Sequence, residues 1–128
     1  MMNKKLFAVA GGLSLFAAMA YNAEAASVRI KCETRGTSRS KVSVDGRDVA
    51  PGVYTAQVIS GGNLVNSKTA LQSIGDEVEF DFDSNLNDVN QGATQISPTF
   101  IQGNMVTGQI FDADGFVVAS ATVACRAR

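Results

Sequence analysis

Between Glu77 and Asp88 the chain carries its densest set of groups that could do chemistry. Glu77, Glu79, Asp81 and Asp83 stand at every second position, so an extended backbone puts all four carboxylates on one face. Same-face neighbours on a strand lie about 7 Å apart, near the separation of acid and base in inverting glycoside hydrolases. A second pattern overlaps the first: Asp81, Asp83, Asn85, Asn87 and Asp88, with Asn90 near, form a series of hard oxygen ligands that could hold calcium. The series departs from an EF-hand loop, because Leu86 stands where that loop needs glycine and Gly92 or Thr94 where it needs a bidentate glutamate. A solvated acidic strand running into a turn-rich loop explains the same residues without any site. No catalytic residues are therefore expected, and calcium is the only cofactor the sequence offers a place to.

Other chemistry is excluded by absence. The chain has no histidine, which removes Ser-His-Asp and Cys-His nucleophilic sites and histidine-ligated zinc or copper. Its two cysteines, Cys32 and Cys125, cannot by themselves complete a structural zinc site. No glycine-rich phosphate loop opens a helix, so nucleotide chemistry is not expected. There is no tryptophan to form a sugar-stacking platform, and Tyr54 is expected to point inward. A protein partner, or a second copy of the chain, is better supported than a carbohydrate.

The N-terminus carries an export signature. Lys4 and Lys5 precede an uncharged apolar run, Leu6 to Ala20, and Ala23-Glu24-Ala25 offers the small residues a signal peptidase reads. That run is 15 residues long, short of the roughly 20 that a spanning helix needs. Residues 1–25 are thus read as a signal peptide cleaved before Ala26, delivering the chain to the periplasm or beyond the cell. No cysteine follows the cleavage site to carry a lipid, and no second apolar stretch could span a membrane.

Residues 26–128 then form a single domain of 103 residues. Without Lys4, Lys5 and Glu24 it holds nine basic and eleven acidic side chains, a net charge of minus two that gives no warrant for nucleic-acid binding. The distribution is uneven. Six basic residues and three acids lie between Ala26 and Ala50, whereas Asp76 to Asp114 holds eight acids and no base. Such a dipolar molecule could associate head to tail.

The elements that must position these groups read as short strands. Val28, Ile30 and Cys32 share one face, and Val117, Ala119, Ala121, Val123 and Cys125 share another, which predicts a disulfide clipping the first strand to the last. Thr34 to Ser40 reads as a loop. Val42 and Val44 point inward, and Asp45-Gly46 signals a tight hairpin turn. Tyr54, Ala56 and Val58 face inward along Val53 to Ser60. Leu64 to Gln72 reads as an edge strand, and Val78, Phe80 and Phe82 alternate with the acids, whose face must see solvent or a cation. Ser84 to Thr94 is a loop with one helical turn near Asn87 to Gln91. Gln95 to Gln102, broken by Pro98, suits an edge strand or bulge. Asp112-Ala113-Asp114-Gly115 closes the last hairpin.

Seven to eight short strands with no helical periodicity predict an all-β, antiparallel, immunoglobulin-like sandwich. Pro51-Gly52-Val53-Tyr54 resembles a segment of many bacterial immunoglobulin-like and transthyretin-like modules, over about ten residues. The function expected is a non-enzymatic binding or interaction module. A self-assembling envelope or fibre subunit is the alternative, and a carboxylate hydrolase comes third.

Overall fold

The computed structural model describes residues 25–128. The signal peptide expected over residues 1–25 lies outside them, save for Ala25. The chain runs β1 (Ser27–Arg35), β2 (Arg39–Arg47), β3 (Val53–Ser60), β4 (Asn63–Asn66), β5 (Leu71–Gln72), β6 (Val78–Asp83), α1 (Leu86–Asn90), β7 (Thr94–Gln95), β8 (Met105–Phe111), β9 (Val117–Ala124) and β10 (Arg126–Ala127). Two sheets pack face to face. One has the order β10-β1-β2-β6-β7, the other β4-β3-β8-β9, with β5 paired to β3. This is the immunoglobulin-like sandwich.

Alternation builds the core between the sheets. Val42 and Val44 from β2, Phe82 from β6, Val58 from β3 and Ile110 from β8 are all fully buried. The sheets meet closely because Gly46 and Gly108 carry no side chain where Ile110 and Ile30 press against them. Tyr54 is buried as expected, and its hydroxyl donates to the carbonyl of Ala50 at 2.5 Å. That bond ties the Ala50-Pro51-Gly52 bend to the strand it opens, the device known as a tyrosine corner.

Cys32 and Cys125 form the expected disulfide, both buried. Cys125 occupies the one residue between β9, which pairs with β8, and β10, which pairs parallel with β1. The last strand therefore crosses from one sheet to the other at the cysteine.

Several local readings are corrected. Asp45-Gly46 is not a turn: β2 runs through it to Arg47, and the reversal falls at Gly36 to Ser38, inside the segment read as a plain loop. Gly46 is needed as a core position that must lack a Cβ. Leu64 to Gln72 is not one strand, because Ser67 leaves the ladder. Its hydroxyl accepts from the Ala56 amide, and the next amide, Lys68, crosses to Thr94 Oγ1 at 2.9 Å. Of Gln95 to Gln102 only Gln95 joins a strand, in β7, and Gln102 makes an isolated bridge to Met105; Ile96 and Phe100 instead insert into the core without a ladder. The sandwich is not purely antiparallel, since β1–β10 and β6–β7 are parallel pairs. A register shift at Ile110/Phe111 turns Val118 toward the core and leaves Val117 half exposed, reversing the face expected for Val117.

Candidate functional site

The outer face of the β1-β2-β6 sheet carries the charged residues in ordered rows. Antiparallel pairing sets Arg29 beside Asp45 and Asp45 beside Glu79; Lys31 beside Ser43 and Ser43 beside Asp81; Glu33 beside Lys41 and Lys41 beside Asp83. In the first two rows a base stands on β1 and an acid on β6. In the third the order begins with Glu33, and the base moves to β2. Arg29 with Asp45, Glu33 with Lys41 and Lys41 with Asp83 are cross-strand neighbours of opposite charge that attract, whereas Asp45 stands beside Glu79 of the same sign. Ser43 links the centre: its hydroxyl lies 3.2 Å from Glu79 Oε2 and 3.1 Å from Asp81 Oδ1.

An open groove of about 600 Å³ runs over this face. Lys31, Glu33 and Lys41 from β1 and β2 line it together with Glu79 and Asp81 from β6, and residues of the Ser67–Leu71 and Gln91–Thr94 segments border it. Among the described residues, Val78 to Asp81 of β6 have β2 on one side and no strand on the other, since β7 reaches only Phe82 and Asp83. The groove thus combines charged side chains of both signs with a stretch of free strand edge, a surface that an extended polypeptide can follow.

Asp83 departs from the acidic face to which alternation assigns it. Its side chain is 1% exposed, covered by the segment that leads into α1, and it faces Arg39 rather than solvent. The guanidinium binds it in a fork, Nε to Oδ1 at 3.1 Å and the second nitrogen to Oδ2 at 2.8 Å, and the same nitrogen reaches Asp88 Oδ2 at 2.9 Å. Asp83 Oδ1 also accepts the Asn85 amide at 2.9 Å. Burial pushes the Asp83 carboxyl up, but the Arg39 and Asn85 hydrogen bonds and the charges of Arg39 and Lys41 outweigh it and hold the group below the usual carboxylate range.

The residues read as calcium ligands are accordingly dispersed. Asp81 is exposed and shares Ser43, whereas Asp83 and Asp88 converge on Arg39. Asn85 caps α1, its carbonyl oxygen accepting the Asn87 and Asp88 amides, while the Asn87 side chain is exposed. Among the described residues no group of three or more His, Cys, Asp or Glu side chains is gathered for a metal. Arg39 is the residue that reading from sequence missed. Arg39 falls inside Thr34 to Ser40, the segment that reads as a loop, and nothing local says that it belongs to a strand beside β6.

At the end of the sandwich where β1 begins, a hollow of about 700 Å³ is lined by Asp48, Asp76 and Asp112 together with Val49, Tyr54 and Val118. Among the described residues no helix is long and apolar enough to cross a membrane. No protein-family model matches the chain, and no curated protein is recognisably similar to it.

Proposed function

We propose that the protein is an exported, non-enzymatic binding module that meets a protein partner through the outer face of the β1-β2-β6 sheet. The observation that carries this reading is the ordered charge of that face, with Arg29 and Lys31 on β1 set against Glu79 and Asp81 on β6. A face of this kind selects partners by the sign and order of their charges, which governs specificity and association rate more than raw affinity. The free edge of β6 adds backbone donors and acceptors for an extended segment. Export is supported by the leader of residues 1–25 and by a buried disulfide, a bond that persists in oxidising compartments. A non-catalytic role is supported by the carboxylates themselves: Asp83 has its oxygens bound by Arg39 and Asn85, while Glu79 and Asp81 share one serine hydroxyl on an open face.

A photo-cross-linking side chain placed at Lys31 tests the reading in the living cell, with one at Ser120 on the outer face of the opposite sheet as control. A single adduct from position 31, absent from position 120 and lost on Asp81→Lys, is expected. No adduct from position 31 would overturn the reading. So would a hydrolytic activity that disappears on Glu79→Gln.

A further inference from the structure

The two ends of the sandwich are opposite in charge. Where Ser27 pairs with Arg47 and Thr55 with Phe111, the acids Asp48, Asp76, Asp112 and Asp114 gather, and none has an ion-pair partner among the described residues. Asp112 Oδ1 is used within its own loop, where it accepts the Asp114 and Phe116 amides. At the far end, where Arg35 pairs with Arg39 and Met105 with Ala124, stand Arg35, Arg126 and Arg128. Arg128 reaches Glu33 at 3.3 Å, while Arg35 and Arg126 are exposed and without an ion-pair partner among the described residues. The local pairs Arg47 with Asp45 and Arg39 with Asp83 neutralise each other and leave this polarity in place.

Each end also exposes large apolar side chains. Ile74 is 85% and Phe116 69% exposed at the acidic end, and Leu64 is 52% and Met105 44% exposed at the basic end. The hollow among Asp48, Asp76 and Asp112 combines carboxylates with the apolar surface of Val49 and Val118. That combination suits an arginine, whose planar fork matches carboxylates while its stem packs on hydrocarbon.

We propose that copies of this chain associate head to tail, the arginine-bearing end of one seated on the aspartate-lined end of the next. The proposal rests on the reading of the chain as an interaction module, but it uses the ends of the sandwich and makes the partner a second copy. The two surfaces differ and lie at opposite ends, so the contact is heterologous and repeats from copy to copy rather than closing as a two-fold dimer.

Sedimentation velocity on the oxidised, exported protein tests this over a concentration series. The ionic strengths are about 10 mM and about 1 M, where charges are screened over ~30 Å and ~3 Å. Association that grows with concentration at low salt and weakens at least about tenfold at high salt is expected. Asp76→Lys with Asp114→Lys leaves Asp48 and Asp112 balanced by two lysines and so removes the net charge of the acidic end, and Arg35→Glu with Arg126→Glu makes both ends acidic. Each double variant should be monomeric alone, and an equimolar mixture should recover a 1:1 complex, the intact arginine end of the first seated on the intact aspartate end of the second. Where a charge reversal lowers the melting temperature, the neutral pairs Asp76→Asn/Asp114→Asn and Arg35→Gln/Arg126→Gln replace it and should weaken assembly in the same direction. A wild-type monomer at low salt, or assembly unaffected by both variants, overturns the proposal. A monomer that still forms the Lys31 adduct sinks self-association alone, whereas an assembling protein without that adduct sinks the face-binding reading alone.

Discussion

Gly108 of β8 lies directly beneath Ile30 of β1, so that a Cβ at position 108 would collide with Ile30 Cδ1 and stand 3.2 Å from Val44 Cγ2. The contact has a mirror on the opposite sheet, where a Cβ on Gly46 would come within 2.5 Å of Ile110 Cδ1. Each sheet thus supplies one glycine and one isoleucine to the close approach. Gly108→Ala should destabilise the fold by about 1–3 kcal/mol through overpacking. Adding Ile30→Val removes the colliding methyl and should recover part of that loss in urea unfolding. Strictly additive effects of the two substitutions would show that they do not touch.

The Cys32–Cys125 bond spans 93 residues of sequence, so in the unfolded chain it closes a loop almost as long as the domain. Replacing both cysteines by serine should cost roughly 4 to 5 kcal/mol at most in guanidinium unfolding, on the loop-entropy model. The loss should be felt first at β10, held to β1 by two residue pairs and, just beyond it, by the Arg128 amide bond to the Thr34 carbonyl and the Arg128–Glu33 ion pair. Hydrogen exchange at Arg128 should accelerate more than at Val44 in the centre of β2. Equal acceleration at both would mean that the crosslink acts on global stability only.

Arg39 neutralises a carboxylate that is almost wholly buried, and it is itself 27% exposed. Arg39→Met leaves Asp83 charged and unpaired, which should cost about 3 kcal/mol at neutral pH. The pH dependence has a defined sign. The folded-state pKa of Asp83 lies below its unfolded value of about 3.9, so its stabilisation is complete above that value and is lost as pH falls through the folded pKa. Melting temperature of the wild type should therefore drop below about pH 4, and part of this slope should vanish in Asp83→Asn. A variant that keeps the full acid slope would assign the effect to other carboxylates.

Tyr54→Phe deletes the hydroxyl that donates to the Ala50 carbonyl and changes no apolar contact of the ring. A loss of about 1 to 2 kcal/mol with unchanged circular dichroism is expected from the broken bond and the unsatisfied carbonyl it leaves. No measurable change in unfolding midpoint would mean that water replaces the hydroxyl at that bend.

What the sequence determined by itself was local. Alternation identified the inward residues of β1, β2, β3 and β6, and the Asp112–Gly115 connection was legible because its glycine adopts φ +88°, a conformation that favours that residue. The cysteine pairing was legible too, since two cysteines admit one intramolecular bridge. Tertiary structure decided whatever depended on a distant neighbour. Asp45-Gly46 reads as a turn until Ile110 is placed above it. Asp83 reads as one more solvated acid until the segment leading into α1 covers it and Arg39 arrives from a strand 44 residues away. Within the oxygen-rich series, a guanidinium binds Asp83 and Asp88 and helix-capping amides bind Asn85, partners that the spacing of the series does not reveal. Side-chain direction follows from the pleat of a single strand, whereas which strands become neighbours, and where the last one crosses between sheets, depends on burying both apolar faces at once. That requirement belongs to the whole chain, and no segment carries it alone.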